Sequence, residues 1–154
     1  MWTERIAVLL RRAVAWWIDA FAVAAVLVLL RGLINLMFSD PLTGQAAETY
    51  NVVGLGLGFF AYRVVVEGRY RTSLGKWSLG LQVYEGARGY TGAAIRNSWV
   101  LLTMLAAIGP AILDELIIGL VALSVLLLGR HPGDFAAQAR VDRRLDPFDP
   151  MEEV

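Results

Sequence analysis

The chain has 154 residues, enough for one domain, and 57% of them are hydrophobic while 18% are charged. Soluble domains are about half apolar and about 25% charged, so this composition indicates an integral membrane protein. The lack of cysteine excludes disulfides, thiolate metal sites and cysteine nucleophiles, the single histidine excludes a multi-histidine metal centre, and the net charge of zero points to no particular partner.

The N-terminal part of the chain predicts an amphipathic segment followed by a membrane span. Residues 1–12 (MWTERIAVLLRR) either lie in the membrane interface or extend the first span into the cytoplasm, and both interpretations stay open. Residues 13–38 form an apolar run long enough to cross a bilayer. The run is too long for the apolar region of a signal peptide and has no clear small-residue cleavage pattern, so we expect no cleaved leader.

A second predicted span covers residues 47–67, after a loop at 39–48 that is rich in turn-forming residues. Gly54 and Gly58 are four residues apart and share a helix face, where the lack of side chains lets another helix approach closely. The string VVGLGLGFF does not lie in a strand–turn–helix context, so it does not indicate a nucleotide-binding loop.

The segment 67–97 is polar and basic. Within it, TSLGKWSLG (72–80) predicts a short amphipathic helix and residues 81–85 predict a short strand. A second short strand is expected near 139–142, and the two strands are expected to pair on the cytoplasmic side.

Residues 98–129 are apolar again, with a break at 109–115. This length is too great for one straight span and short for two, so two alternatives stay open: two short spans, or a hairpin that re-enters the membrane. We predict helices at 95–109 and 110–129. The fold expected is therefore all-α, with about four transmembrane or re-entrant helices in a membrane domain at 1–142, a short cytoplasmic β-pairing element, and a polar tail at 143–154.

Basic residues precede the first span, follow the second and follow the last apolar segment, whereas the intervening loops carry acids. Positively charged segments stay in the cytoplasm, so we expect a multi-pass protein of the bacterial plasma membrane with both termini cytoplasmic.

Asp19 lies inside the first apolar run, where an ionised carboxylate costs about 2.5–3.5 kcal/mol to insert. Such a group must be paired, protonated or hydrated. Arg12 is about 10 Å away along the helix axis, so the partner is expected to come from another segment. Arg63, near the inner end of the second span, is expected to extend its charge toward the interface.

At these positions the chain resembles the RDD family, named for one arginine and two aspartates. The resemblance covers residues 8–142 and rests on four segments: RRAVAWWIDA (11–20), TSLGKWSLGLQV (72–83), AAIRNSW (93–99) and GRHPGDFAAQARV (129–141). It assigns Arg12, Asp19 and Asp134 to the three name-giving positions. The chain departs from the family pattern at Gln138 and Ala139, where glycine and threonine are usual.

The resemblance implies a membrane protein of undefined molecular activity, with transport proposed and cation–proton exchange suggested for some members. We predict a buried polar cluster that is either structural or part of a transport path, formed by Arg12, Asp19, Lys76, Arg96 and Asp134.

Two functions remain open: transport of a small ion or solute through Asp19, and a non-catalytic accessory or assembly role in a larger membrane complex. A transporter predicts that water reaches Asp19, whereas an accessory subunit predicts a dry, paired Asp19 and a large apolar face. No internal repeat is evident, which weighs against an alternating-access transporter.

No enzyme motif, metal site or cofactor is predicted. The expected partners are membrane lipids and either other membrane subunits or further copies of the chain, and not nucleic acid.

Overall fold

The computed structural model describes residues 2–84, 86, 89–106 and 112–143. These residues are mostly helical, with one two-stranded antiparallel sheet. In chain order the elements are α1 (Trp2–Met37), α2 (Gly44–Tyr70), α3 (Leu74–Ser78), β1 (Leu81–Tyr84), α4 (Gly89–Asn97), α5 (Trp99–Ala106), α6 (Ile112–Leu128), α7 (Pro132–Ala136) and β2 (Arg140–Arg143).

Two helices, α1 and α2, are long and apolar enough to cross a membrane, judged by length and composition. α1 has 36 residues and is therefore about 54 Å long, well beyond a hydrocarbon core of about 30 Å. It includes residues 2–12, which continue the first span without a break. Of the two interpretations of that segment, the structure agrees with the helical extension.

The last predicted pair of helices corresponds to α4–α5 and α6. A turn at Ser98 separates α4 from α5, so the predicted helix 95–109 is divided between the end of α4 and α5. The Glu115–Leu128 part of α6 is apolar but shorter than the two long helices, so four complete spans are not established. The predicted turn at 109–110 and the tail from residue 144 lie outside the described residues, and β2 extends to Arg143, one residue past the predicted domain boundary.

The ends of α2 and α6 and the segments that follow them repeat at a constant spacing of 58 residues, which the sequence did not reveal. Each helix ends where the next residue has a left-handed backbone, Arg71 (φ 56°) after α2 and Gly129 (φ 71°) after α6. Equivalent backbone hydrogen bonds end the two helices: Arg71 N–H donates to the Glu67 carbonyl, and Gly129 N–H donates to the Val125 carbonyl.

The repeat continues through the short helices α3 and α7. Ser73 and His131 hold equivalent N-cap positions, and the side chain of each accepts a backbone N–H of its helix. Both helices have five residues, and the second residue after each, Gly80 and Gln138, again has positive φ. A strand then follows in both units.

The two strands pair antiparallel about one pair of equivalent residues. Val83 lies opposite Val141, and both side chains are buried. A local two-fold axis of the strand pair therefore passes between them. The small hydrophobic core around this sheet contains Ala15, Leu81, Val83, Ala137, Ala139 and Val141.

Glycines permit close backbone approaches at two equivalent positions of the repeat. A Cβ on Gly75 would collide with the Ala15 carbonyl of α1, and one on Gly133 would collide with the Arg96 carbonyl of α4. The predicted packing pair Gly54 and Gly58 faces α1, where an added Cβ would lie 3.4 Å from side-chain carbons of Leu27 and Val23 respectively. This face therefore lies against α1 of the same chain.

Candidate functional site

A group of charged side chains, all buried except the partly buried Arg12, joins five helices at one end of α2. We call it the charged cluster, and its members are Arg12, Asp19, Arg63, Glu67, Lys76, Arg96 and Asp134. The structure brings together all five residues that the sequence singled out and adds Arg63 and Glu67, which lie one helical turn apart on α2.

Asp19 is fully buried and accepts four hydrogen bonds. Its Oδ1 accepts from the Tyr62 hydroxyl at 3.0 Å and from Gly75 N–H at 2.8 Å. Its Oδ2 accepts from Arg63 Nη2 at 2.9 Å and from the Ser73 hydroxyl at 2.6 Å. A carboxylate has about four lone-pair sites, so the acceptor capacity of Asp19 is used by the protein itself.

Glu67 is the second saturated carboxylate. Its Oε1 accepts from Lys76 Nζ at 2.6 Å and from Arg63 Nη1 at 3.2 Å. Its Oε2 accepts from Arg96 Nη2 at 2.6 Å and Nε at 3.0 Å, and from Asn97 Nδ2 at 3.2 Å. One side chain on α2 is thus bonded to α3 and α4 as well as to its own helix.

Asp134 attaches α7 to the cluster. It forms an ion pair with Arg12 of α1, and its Oδ1 lies 4.0 Å from Arg96 Nε. His131, the N-cap of α7, is also buried and its ring centroid lies 5.4 Å from that of Trp99. Burial lowers the pKa of His131 to about 4, with the positive charges of Arg12 and Lys76 acting in the same direction and Asp134 opposing them.

The cluster contains four cations and three carboxylates. Burial lowers the pKa of Lys76 to about 8, and its ion pair with Glu67 opposes that shift. The distance of 2.6 Å between Lys76 Nζ and Glu67 Oε1 is that of an ammonium–carboxylate ion pair. A buried ion pair needs further hydrogen bonds to offset the cost of desolvation. Glu67 accepts such bonds from Arg63, Arg96 and Asn97.

The RDD family model matches residues 6–138, which is most of the chain. The chain belongs to the RDD family. It is accordingly a membrane protein whose molecular function is undefined. No curated protein and no solved structure matches it.

In this RDD protein the three residues that correspond to the family's name do not contact one another as one triad. Arg12 pairs with Asp134, whereas Asp19 pairs with Arg63. The expectation that Arg63 reaches toward the interface is wrong, because its side chain is buried between two carboxylates. The signal that identifies it is the four-residue spacing to Glu67 inside an apolar segment, which places opposite charges on one helix face.

In the charged cluster of this RDD protein, the charged side chains are bonded mainly to one another. Among the described residues, no group of three His, Cys, Asp or Glu side chains is arranged to bind a metal ion. Asp19 and Glu67 keep no free acceptor site, and the arginines are bound to carboxylates. The arrangement joins helices, and its least bonded carboxylate is Asp134.

Proposed function

We propose that this RDD protein is a non-catalytic accessory or assembly subunit of a larger membrane complex, in which the charged cluster fixes the positions of the helix ends. The observation that carries the proposal is the state of Asp19. This carboxylate is 0% exposed and bonded to four donors from α1's neighbours. A cation or proton carrier needs a carboxylate that water or the ion can reach.

The distribution of apolar surface supports the same proposal. The hydrophobic residues packed together near the cluster include Val23, Phe59 and Val100. After Val23, none of the described residues of α1 is fully buried, and Leu36 is 82% exposed. The half of α1 away from the cluster is therefore available to lipid or to the helices of another subunit.

The placement in the cell is part of this proposal. We infer a multi-pass protein of the plasma membrane, with both termini and the cluster end in the cytoplasm and with α5 and α6 as a short third and fourth span. Arg69, Arg71 and Arg130 near the cluster support this orientation, as do the exposed acids Asp40 and Glu48 at the opposite end.

Transport of a small ion or solute is the second candidate, and the 58-residue repeat favours it. Many membrane transporters are built from structural repeats, with the binding site between them. Lys76 and Asp134 hold equivalent positions in the two units and both reach the cluster. Transport ranks second because it requires Asp19 to exchange its four protein partners for a ligand.

The test is purification of the tagged full-length chain from its own membrane in a gentle detergent, followed by measurement of the particle's mass and composition. The accessory role predicts heterologous membrane proteins in fixed stoichiometry. Asp19→Asn should lower the yield of that complex because an amide cannot accept all four hydrogen bonds. Asp40→Asn removes an exposed acid and should leave the yield unchanged.

The opposite result is equally definite. If the chain purifies alone as a small homo-oligomer, and if liposomes containing it show a cation or proton flux that Asp19→Asn abolishes and Asp40→Asn does not, the accessory role is rejected in favour of transport.

A further inference from the structure

The two short helices α3 and α7 have the same division of faces. In α3, Gly75 and Lys76 are buried while Leu74 and Trp77 are 48% and 61% exposed. In α7, Asp134 is buried while the next residue, Phe135, is 49% exposed. Each helix thus points one charged side chain into the cluster and one aromatic side chain outward.

The aromatic residues hold equivalent positions in the repeat. Gly75, Lys76 and Trp77 correspond, at a spacing of 58 residues, to Gly133, Asp134 and Phe135. The charged members have opposite sign, whereas the outward member is a large aromatic residue in both units. Packing in the hydrophobic core does not account for these two aromatic residues, because neither ring is buried in it.

An arginine lies just before each of these helices. Arg71 precedes α3 and Arg130 precedes α7, and among the described residues neither guanidinium takes part in an ion pair. The Arg130 guanidinium lies 5.8 Å from the centroid of the Phe135 ring. Unpaired positive charge is therefore next to exposed aromatic surface at α7, and at α3 Arg71 precedes the first helical residue, Leu74, by three positions.

Tryptophan concentrates at the level of lipid headgroups in membrane proteins. Phenylalanine on helices that lie in the interface buries its ring at the boundary between headgroups and acyl chains. Basic side chains at that level are attracted to anionic phospholipids by about 1 kcal/mol each. Both α3 and α7 are held at the level of the cluster by Lys76 and Asp134, near the inner end of α2. This position and charge fit a lipid surface better than the interior of the bilayer.

We propose that α3 and α7 form a paired interfacial anchor that binds anionic phospholipid headgroups. Trp77 and Phe135 insert below the headgroups, and Arg71 and Arg130 contact the phosphates. This inference does not depend on the proposed accessory function, because a transporter of the same fold would use the anchor in the same way.

The first experiment reconstitutes the full-length chain into phosphatidylcholine bilayers that contain a trace of spin-labelled phosphatidylglycerol or spin-labelled phosphatidylcholine. The fraction of each label that is immobilised by the protein gives their relative association. We expect a preference for phosphatidylglycerol that falls about fivefold for each arginine removed in Arg71→Gln and Arg130→Gln. Arg31→Gln removes an arginine from the opposite end and should keep the preference.

A second measurement tests insertion. Fluorescence quenching by phosphatidylcholine brominated close to the headgroup is compared between the wild type and Trp77→Phe, so that the difference reports Trp77 alone. Strong quenching of that difference is expected. Equal association of both lipids, or a preference that survives in the double arginine variant with unchanged thermal stability, would overturn the proposal. So would a Trp77 fluorescence that the brominated lipid does not quench.

Discussion

At the scale of single residues, Glu67 has the largest number of ionic partners in the charged cluster, because Arg63, Lys76 and Arg96 all bond to it. We predict that Glu67→Gln destabilises the protein by about 3–5 kcal/mol, since removing one partner leaves buried cations uncompensated. Thermal unfolding of the purified variant in detergent would measure this as a large fall in Tm.

The matched control for this prediction is Lys76→Met. In the double variant the cluster loses one cation together with the carboxylate, so the double variant should be more stable than the sum of the single effects implies. Strictly additive effects would show that Lys76 and Glu67 do not stabilise each other.

His131 gives a pH-dependent prediction. Its pKa is about 4 in the folded protein because of burial, against about 6.5 for an exposed imidazole. Between these values the unfolded chain binds a proton that the folded chain does not, so stability falls as pH drops from about 6.5 toward 4. Each pKa unit corresponds to about 1.4 kcal/mol, so the loss by pH 5 should be about 1–2 kcal/mol.

His131→Asn isolates this contribution, since asparagine keeps an N-cap acceptor for Gly133 N–H without titrating. The Tm of the variant should fall less steeply than that of the wild type between pH 7 and pH 5. Parallel profiles would mean that His131 is protonated equally in both states.

Asp19 shows how much of the charged cluster can be predicted from the sequence at the scale of single residues. The cost of a carboxylate in an apolar span requires a partner for Asp19, and that partner does come from another segment, Arg63. The identity of the partner could not be predicted, because an arginine near a helix end satisfies the same pattern whether it reaches the interface or turns inward. Only the packing of α2 against α1 and α4 decides between these positions.

At the scale of elements, Gly80 and Gln138 occupy equivalent positions after α3 and α7, and both have positive φ, 65° and 53°. Glycine adopts this conformation without steric cost, whereas glutamine does not. We predict that Gln138→Gly raises stability by about 1 kcal/mol, measured as a higher Tm in detergent. Gln138 is exposed, so the substitution removes no buried contact.

The equivalent position supplies the reverse experiment. An added Cβ at Gly80 meets no atom within 4 Å, so Gly80→Gln introduces backbone strain without a clash. It should lower stability by a similar amount. If both substitutions changed the Tm in the same direction, the backbone conformation would not be the cause.

The elements themselves were only partly predictable. The short strand predicted at 81–85 from alternation and the strand expected near 139–142 match β1 and β2 closely. The repeat that contains them did not follow, because residues 54–84 and 112–142 are identical at three equivalent positions: Leu55 and Leu113, Gly75 and Gly133, and Val83 and Val141. What is conserved between the units is backbone geometry, which left-handed φ values reveal and side-chain identity does not.

At the scale of the whole molecule, buried residues are concentrated near the charged cluster and the sheet. Composition predicts the membrane class, and the resemblance to the RDD family predicts which charged residues meet. The number of crossings by residues 98–129 is not predictable in the same way, because α6 is shorter than a standard span and apolar residues alone do not distinguish a short span from a re-entrant one.

The equivalence of Lys76 and Asp134 has a consequence for how such a protein can be assembled. Two separate, identical copies of the repeated unit, joined about the axis between Val83 and Val141, would contribute the same residue twice and so bring two like charges into one dry site. A single continuous chain escapes that repulsion because its two halves can differ in sequence. Because the two units are covalently linked, one polypeptide can carry opposite charges at equivalent positions, as the two different subunits of a heterodimer can.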